Sequence, residues 1–170
     1  MRLSTRGRYG VRAMIDMAVH YTQGPSLLRE IAERLQVSGK YLDHLITSLK
    51  TAGLVRSIRG AHGGYILAKH PKDIRLTEII QALEGSIAPV DCVDDPQICN
   101  QADVCAAHDL WAQMKDSICS VLESLTLADM AQRQKEKGEY TPSRGIRNKE
   151  GRQKRSVNGF PNPQNNRREG

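Results

Sequence analysis

Between Ser26 and Ala68, two short apolar stripes, a three-residue break and a glycine-rich turn between two β-prone runs follow one another without interruption, and few folds accept that order. The first stripe, Leu27, Leu28, Ile31, Ala32 and Leu35, has helical spacing, with Ser26 as its expected cap. Val37-Ser38-Gly39 breaks it, and Ser38 is placed to cap the next segment, Gly39 to Ala52. There Leu42, Leu45, Ile46 and Leu49 share one face, Lys40, Asp43, His44, Thr47 and Lys50 occupy others, and Gly53 is the expected stop. Leu54 to Ile58 reads as a strand, Arg59 to Gly64 as a tight turn, and Tyr65 to Ala68 as the returning strand. Two helices joined by a short turn and followed at once by a hairpin predict a winged helix-turn-helix, mainly α with a small β-hairpin wing.

The flanks extend this module. Val11, Met14, Ile15, Ala18 and Val19 predict a first helix from Arg6 to Tyr21. After the hairpin, a Thr77 cap with Ile79, Ile80 and Leu83 predicts a short helix ending at Gly85. Residues 86–104 then hold two Pro and four Asp with little periodicity, a loop too long to be idle in a compact domain. Ala107, Leu110, Trp111, Met114, Ile118, Val121, Leu122 and Leu125 form a sustained stripe along a long helix. With the preceding module taken as complete, the expected cover for that stripe is the same helix of a second chain, in a symmetric homodimer. Thr126 to Asp129 forms a capping-box pattern for a last short helix before Gly138. Beyond Lys135 only Ile146, Val157 and Phe160 are sizeable apolar residues, and such a segment is expected to be disordered. The expected organisation is a winged-helix domain at 1–85, a loop at 86–105, a dimerisation helix with a short C-terminal helix at 106–134, and a basic tail at 135–170.

Charge is unevenly distributed along the chain. Residues 1–75 carry 13 Lys/Arg against 5 Asp/Glu, residues 76–134 carry 2 against 10, and residues 135–170 carry 10 against 4. A cationic front half with an anionic middle fits a chain in which one module touches phosphate. With one Trp, one Phe and five Tyr there is no aromatic platform for single-stranded bases, which leaves duplex DNA as the expected partner. MRLSTRGRYG is positive but is followed by no apolar run of signal or membrane length, so the expected setting is cytoplasmic, with no membrane partner. No catalytic dyad, phosphate loop or paired-carboxylate pattern suggests an enzyme. His20, His62 and His70 are isolated and read as surface or turn residues.

Cys92, Cys99, Cys105 and His108 are spaced C-x6-C-x5-C-x2-H, four metal donors within seventeen residues and among acidic rather than apolar neighbours. In a reducing compartment such a group points to metal rather than disulfides. Cys105 and His108, three apart, share one face of a helical first turn, while the loop supplies the other two. Three Cys and one His suit tetrahedral zinc and also an iron–sulfur cluster; the absence of C-x2-C knuckles favours the cluster. Cys119, between apolar neighbours on the long helix, reads as a packing or interface residue. Arg59 at the wing tip is placed to enter a minor groove.

Taken together, MRLSTRGRYGVRAMIDMA, SGKYLDHLITSLKTAGLVRSIRGAHGGYILAK and the three-Cys, one-His group resemble the IscR-like iron–sulfur winged-helix transcription regulators over about residues 1–130. The resemblance implies a homodimer on a roughly palindromic operator and a [2Fe-2S] cluster on Cys92, Cys99, Cys105 and His108. It also implies control of cluster-assembly genes by cluster supply, with the iron–sulfur assembly machinery as donor. Carried over by position, Lys40, Asp43 and His44 fall on the base-reading face and Arg59 at the wing tip, with Arg2, Ser38, Tyr41 and Gly60 completing the DNA-binding set. The family's best-known pattern has Ser, Glu and Gln at positions 40, 43 and 44, so operator preference does not transfer. The first Cys gap is one residue longer than in that pattern, which leaves [4Fe-4S] and zinc as alternatives.

Overall fold

A computed structural model of the chain describes residues 3–60 and 63–138. Three helices come first: α1 (Thr5–Val19), α2 (Leu28–Leu35) and α3 (Gly39–Thr51). A two-stranded antiparallel hairpin follows, β1 (Val55–Ile58) and β2 (Gly64–Leu67), with Val55 opposite Leu67 and Ile58 opposite Gly64. The chain then forms α4 (Leu76–Glu84), three successive single 3-10 turns through the acidic loop, α5 (Ala106–Ser124) and α6 (Leu127–Lys137).

The core lies where α1, α3, α4 and α6 meet. Met14, Ile31, Leu42, Leu45, Ile46, Leu49, Ile74, Ile79 and Leu127 are fully buried there. The stripe expected on α3 is the buried one, and Ser38 caps that helix by accepting a hydrogen bond from the Tyr41 N–H at 3.2 Å. Two glycines let α1 lie close to α4: a β-carbon on Gly10 would overlap the Leu83 side chain, and one on Gly7 would overlap the Glu84 carboxylate. That same carboxylate accepts from the Ser4 N–H at 3.2 Å and from the Ser4 hydroxyl at 2.6 Å.

Three expectations need correction, two of them because a long-range partner displaces a local one. Ser26 does not cap α2. It is buried and its backbone pairs with Tyr65 of β2 in both directions at 2.9 Å, so Leu27 becomes the cap position and turns partly to solvent. Thr77 does not start α4 but lies buried within it; the helix begins after Arg75, whose N–H donates to the Glu78 carboxylate at 2.9 Å. The first 85 residues also do not close the core alone. Leu127 and Ala131 of α6 are buried against it, and Leu127 N–H donates to the Ile74 carbonyl while Leu76 N–H donates to the Leu125 carbonyl. α5 by contrast has no fully buried residue: Leu122 and Leu125 lean on the core, while Leu110, Met114 and Val121 face outward. Among the described residues no helix is long and apolar enough to cross a membrane. The basic tail lies outside the described residues beyond Gly138.

Candidate nucleic-acid interface and cysteine loop

α3 presents Lys40, Asp43, His44 and Thr47 on its exposed side, opposite the buried leucines, with Ser38 exposed at its start. Its N-terminal turn is the part that a helix of this kind inserts into the major groove. Beside it the wing carries Arg59 and Gly60, both exposed. Gly60 has φ +114°, a backbone state that L side chains rarely adopt, and a β-carbon on Gly63 would overlap the Ile58 carbonyl. The glycine run is thus required for the turn that brings Arg59 to the hairpin end. Arg2, also expected in this set, lies outside the described residues, as do Ala61 and His62.

Tyr41 departs from its expected place on the DNA-facing side. Its ring meets Tyr9 of α1 edge-on at 6.1 Å, and its hydroxyl is buried with no hydrogen-bond partner among the described residues. Burial, and secondarily Tyr9, raises the phenol above its ordinary range. Tyr41 therefore helps to seat α3 on α1.

Three contacts join α3 to its surroundings that the chain's local patterns did not suggest. Arg6 Nη2 donates to Ser48 Oγ at 2.8 Å, tying the start of α1 to α3. Tyr65 on β2 places its hydroxyl 3.5 Å from Asp43 Oδ1, and Lys50 Nζ lies 5.9 Å from the Tyr65 ring centre. Burial first and the Asp43 carboxylate second raise the Tyr65 phenol, so it stays a neutral donor beside Asp43. On the far side of the helix-turn-helix, Arg34 of α2 donates from Nε and Nη2 to the two oxygens of Asp16 on α1, each at 2.7 Å. This bidentate ion pair fixes α2 on α1 and so sets the angle at which α3 is offered.

The cysteine loop lies along α5. Cys92 sits in the first 3-10 turn (Asp91–Val93), Cys99 follows the second (Pro96–Ile98), and Cys105 is the cap position of α5 with His108 in its first turn. All four cysteines are free; Cys92 and Cys105 are half-buried and Cys99 is exposed. His108 Nε2 lies 3.1 Å from the Cys92 carbonyl oxygen. A carbonyl only accepts, so Nε2 carries a proton toward it, and Nδ1, 3.9 Å from an Asp109 carboxylate oxygen, is the ring nitrogen left to ligate. Further along, the Asp94 carboxylate accepts from Lys115 Nζ at 2.7 Å through one oxygen and from the Ser86 hydroxyl through the other. These hydrogen bonds, Lys115 first and Ser86 second, hold Asp94 below the usual carboxylate range, and Asp94 in turn raises Lys115. The four donors are not gathered: among the described residues no three His, Cys, Asp or Glu side chains stand close enough to share a metal ion. The structure brings the Cys92 backbone against the His108 ring, places Cys105 one turn before His108, and leaves Cys99 exposed. The donor set still fits a metal centre by its chemistry. It has three thiols, two of them beside α5 and the third exposed between the later 3-10 turns, and a histidine whose Nε2 is held by a backbone carbonyl as ligating histidines commonly are.

An exposed polar helix face with a cationic hairpin beside it, on the cationic end of the chain, is shaped for a groove of duplex DNA, and the class it defines is that of winged-helix transcription regulators. The family model described as Rrf2, iron-dependent transcriptional regulator, matches residues 3–133. The chain belongs to the Rrf2 family. It is 42% identical over 131 residues to the HTH-type transcriptional regulator CymR of Bacillus subtilis (strain 168), covering 77% of this chain and 90% of that one. It is 38% identical over 134 residues to the regulator IscR of Serratia proteamaculans (strain 568), covering 79% and 81%. Among solved structures, T. potens IscR superposes with a TM-score of 0.67 at 43% identity, over 84% of this chain and 94% of that one. CymR (YrzC), the global cysteine regulator of B. subtilis, gives a TM-score of 0.67 at 40% identity, over 79% of this chain and 98% of that one. These relatives are regulators and not enzymes, and this chain is likewise a DNA-binding transcription regulator.

Proposed function

We propose that this regulator works as a homodimer on a roughly palindromic operator and holds an iron–sulfur cluster on Cys92, Cys99, Cys105 and His108, cluster occupancy governing how α3 and the wing meet DNA. The observation that carries the reading is the His108–Cys92 contact. It sets the backbone of the first loop cysteine against the histidine at the root of the long helix and leaves Nδ1 as the ring nitrogen available to ligate. When bound, a cluster supplies a centre that changes electron count or is lost altogether, and so reports iron, oxidant or cluster supply. The chain's own residues do the rest. Ser38, Lys40, Asp43, His44, Arg59 and Gly60 meet the duplex, and Asp43, beside the Tyr65 hydroxyl, favours a cytosine amino group. The exposed stripe of Leu110, Met114 and Val121 on α5 is covered by the same helix of a second copy. The nuclearity favoured is [2Fe-2S], delivered by the iron–sulfur assembly machinery for a regulator of cluster-assembly genes, in a cytoplasmic setting.

Relatives named for cysteine regulation resemble the chain as well as those named IscR do, so cofactor content is the decisive quantity. Protein purified anaerobically is expected to be coloured, with iron and acid-labile sulfide in equal amounts. Replacing Cys92, Cys99 and Cys105 by Ala should abolish both and change the ratio of affinities for two operator classes. A colourless protein with one zinc per chain overturns the sensor reading and leaves a zinc-stabilised DNA-binding repressor. Two irons and two sulfides per chain support [2Fe-2S], and four of each replace it with [4Fe-4S].

A further inference from the structure

We infer that Asp94, held between Lys115 and Ser86, is a positioning group that docks the Cys92 turn on α5 ahead of cofactor loading, so that only the Cys99 arm has to close. The inference rests on the reading of Cys92, Cys99, Cys105 and His108 as cluster ligands and adds residues to it.

The loop is anchored unequally. Cys105 and His108 belong to α5 and are placed by the helix itself. The turn that carries Cys92 is fixed twice: His108 Nε2 donates to the Cys92 carbonyl at 3.1 Å, and Lys115 Nζ donates to Asp94 at 2.7 Å. His108 and Lys115 are seven residues apart, which on an α-helix returns to the same side within about 20° and rises about 10 Å, so the turn is laid along one face of α5 at two successive points. Between those points it is internally braced, with the Asp94 and Asp95 N–H groups both donating to the Asp91 carbonyl at 3.0 Å. Ser86, two residues after the end of α4, donates to the second Asp94 oxygen and ties the turn to the winged module as well. The hydrogen bonds found for residues 96–104 stay within the loop: Cys99 N–H donates to the Pro96 carbonyl, Ala102 N–H to Cys99 and Val104 N–H to Gln101. Cys99 is also the exposed ligand of the set. Ordering one half of the loop during folding removes that conformational cost from loading and confines closure to the other half.

The pair is partly exposed, with side-chain exposures of 29% for Lys115 and 36% for Asp94. An isolated pair of that kind has a small effect, so Lys115→Met is expected to speed cluster loss to EDTA only about two- to fivefold. Full-length chains reconstituted anaerobically with ferrous iron and sulfide are compared as wild type, Lys115→Met, Ser86→Ala and Lys115→Arg. Lys115→Met and Ser86→Ala should lose the cluster faster, and Lys115→Arg, which keeps a donor to Asp94, should behave as wild type. A purely structural role for the lysine stem would show no such rescue. Equal loss rates for Lys115→Met and wild type overturn the positioning role while leaving the cluster reading intact. A wild type that takes up no iron and sulfide overturns the cluster reading and this inference with it. Hydrogen exchange in the metal-free proteins gives an independent readout: amides of residues 91–95 should exchange faster in Lys115→Met and be restored in Lys115→Arg, and unchanged exchange overturns the docking itself.

Discussion

The Asp16–Arg34 pair allows the role of a single contact in presenting α3 to be worked out in advance. Asp16 is 3% exposed and both of its oxygens accept from Arg34 at 2.7 Å, while the Arg34 side chain is 29% exposed and reaches water. The two truncations should therefore differ. Arg34→Ala leaves a buried carboxylate with the His20 ring, Nδ1 3.9 Å from Oδ1, as its remaining near neighbour, and should cost about 3–5 kcal/mol, the penalty of breaking a buried charge pair. Asp16→Ala leaves a guanidinium that water can rehydrate, so the cost should fall to about 1–3 kcal/mol, nearer that of a lost hydrogen bond to a charged group. Against a total stability of about 5–15 kcal/mol, the first loss is large enough to unfold a substantial fraction of a marginal domain. Urea denaturation of the metal-free protein at one pH, for both single variants and the double variant, gives the two costs and their coupling. The double variant should lie closer to Asp16→Ala than to Arg34→Ala, because removing both partners leaves no buried charge. Operator affinity should fall in all three, since α2 is what holds α3 in register. Equal costs for the two single variants, or a coupling below about 0.5 kcal/mol, would refute the account of this pair as a buried, mutually compensating contact.

Three further outcomes are expected. Thr77→Val should stabilise the fold by about 1 kcal/mol in thermal or urea unfolding, because the Thr77 hydroxyl is buried without a hydrogen-bond partner among the described residues and Val keeps its shape. Burial pushes Glu78 up, but the hydrogen bonds from Lys69 Nζ and the Arg75 N–H outweigh it and hold the carboxyl below its ordinary range. A lowered folded-state value means stability present above the unfolded value and lost as pH falls through the folded one, so Lys69→Met should flatten the loss of stability on acidification below about pH 4.3. A dimer neutralising about 6–10 phosphates should lose about 10³–10⁵ in operator affinity between about 50 and 200 mM salt, and Arg59→Ala should reduce the slope of log affinity against log salt by about one unit per Arg contact in fluorescence-anisotropy titrations.

The parts of this molecule that were legible in the chain are those whose causes are local. Ser38 caps α3 because its side chain meets an N–H three residues on, and the apolar positions of α3 are buried because a helix repeats every 3.6 residues. The hairpin is readable from glycines that the turn needs. The errors lie where another group claims a residue with a plausible local use, and for Ser26 and Tyr41 that group comes from a distant segment. Ser26 has capping chemistry, but its backbone is claimed by Tyr65, and Thr77 looks like a cap until the Glu78 carboxylate takes that role from within the helix. Tyr41 carries a polar group on the recognition helix, yet Tyr9 lies on the other side of it. Gly7 and Gly10 carry no visible signal beyond their smallness; only the approach of Leu83 and Glu84 shows why nothing larger fits. The spacing of Cys92, Cys99, Cys105 and His108 can be read from the chain, whereas the pairing of Asp94 with Lys115, twenty-one residues on, has no local trace.

The faces of α5 separate the two tasks proposed for that helix, and this separation has a measurable consequence. With about 100° per residue, Lys115 and Cys119 fall within about 20° of His108, on the side that the loop occupies, whereas Leu110, Met114 and Val121 fall about 200–240° away. Leu110 is 50% and Val121 59% exposed, so this outward stripe is the surface left to cover, and no loop anchor lies on it. Closing or opening the cysteine loop therefore leaves the stripe unchanged, and dimerisation should be independent of cofactor content. Sedimentation equilibrium is expected to give the same dimer for loaded protein, metal-free protein and the Cys92→Ala variant, while Val121→Glu, which places a charge in the covered stripe, should yield monomers in every cofactor state. Operator affinity in Val121→Glu should fall with the loss of the second half-site even when the cofactor is present. A metal-free protein that dissociates at concentrations where the loaded protein is dimeric would show that the loop reaches across the helix, and the division of α5 into a sensing face and a pairing face would have to be abandoned.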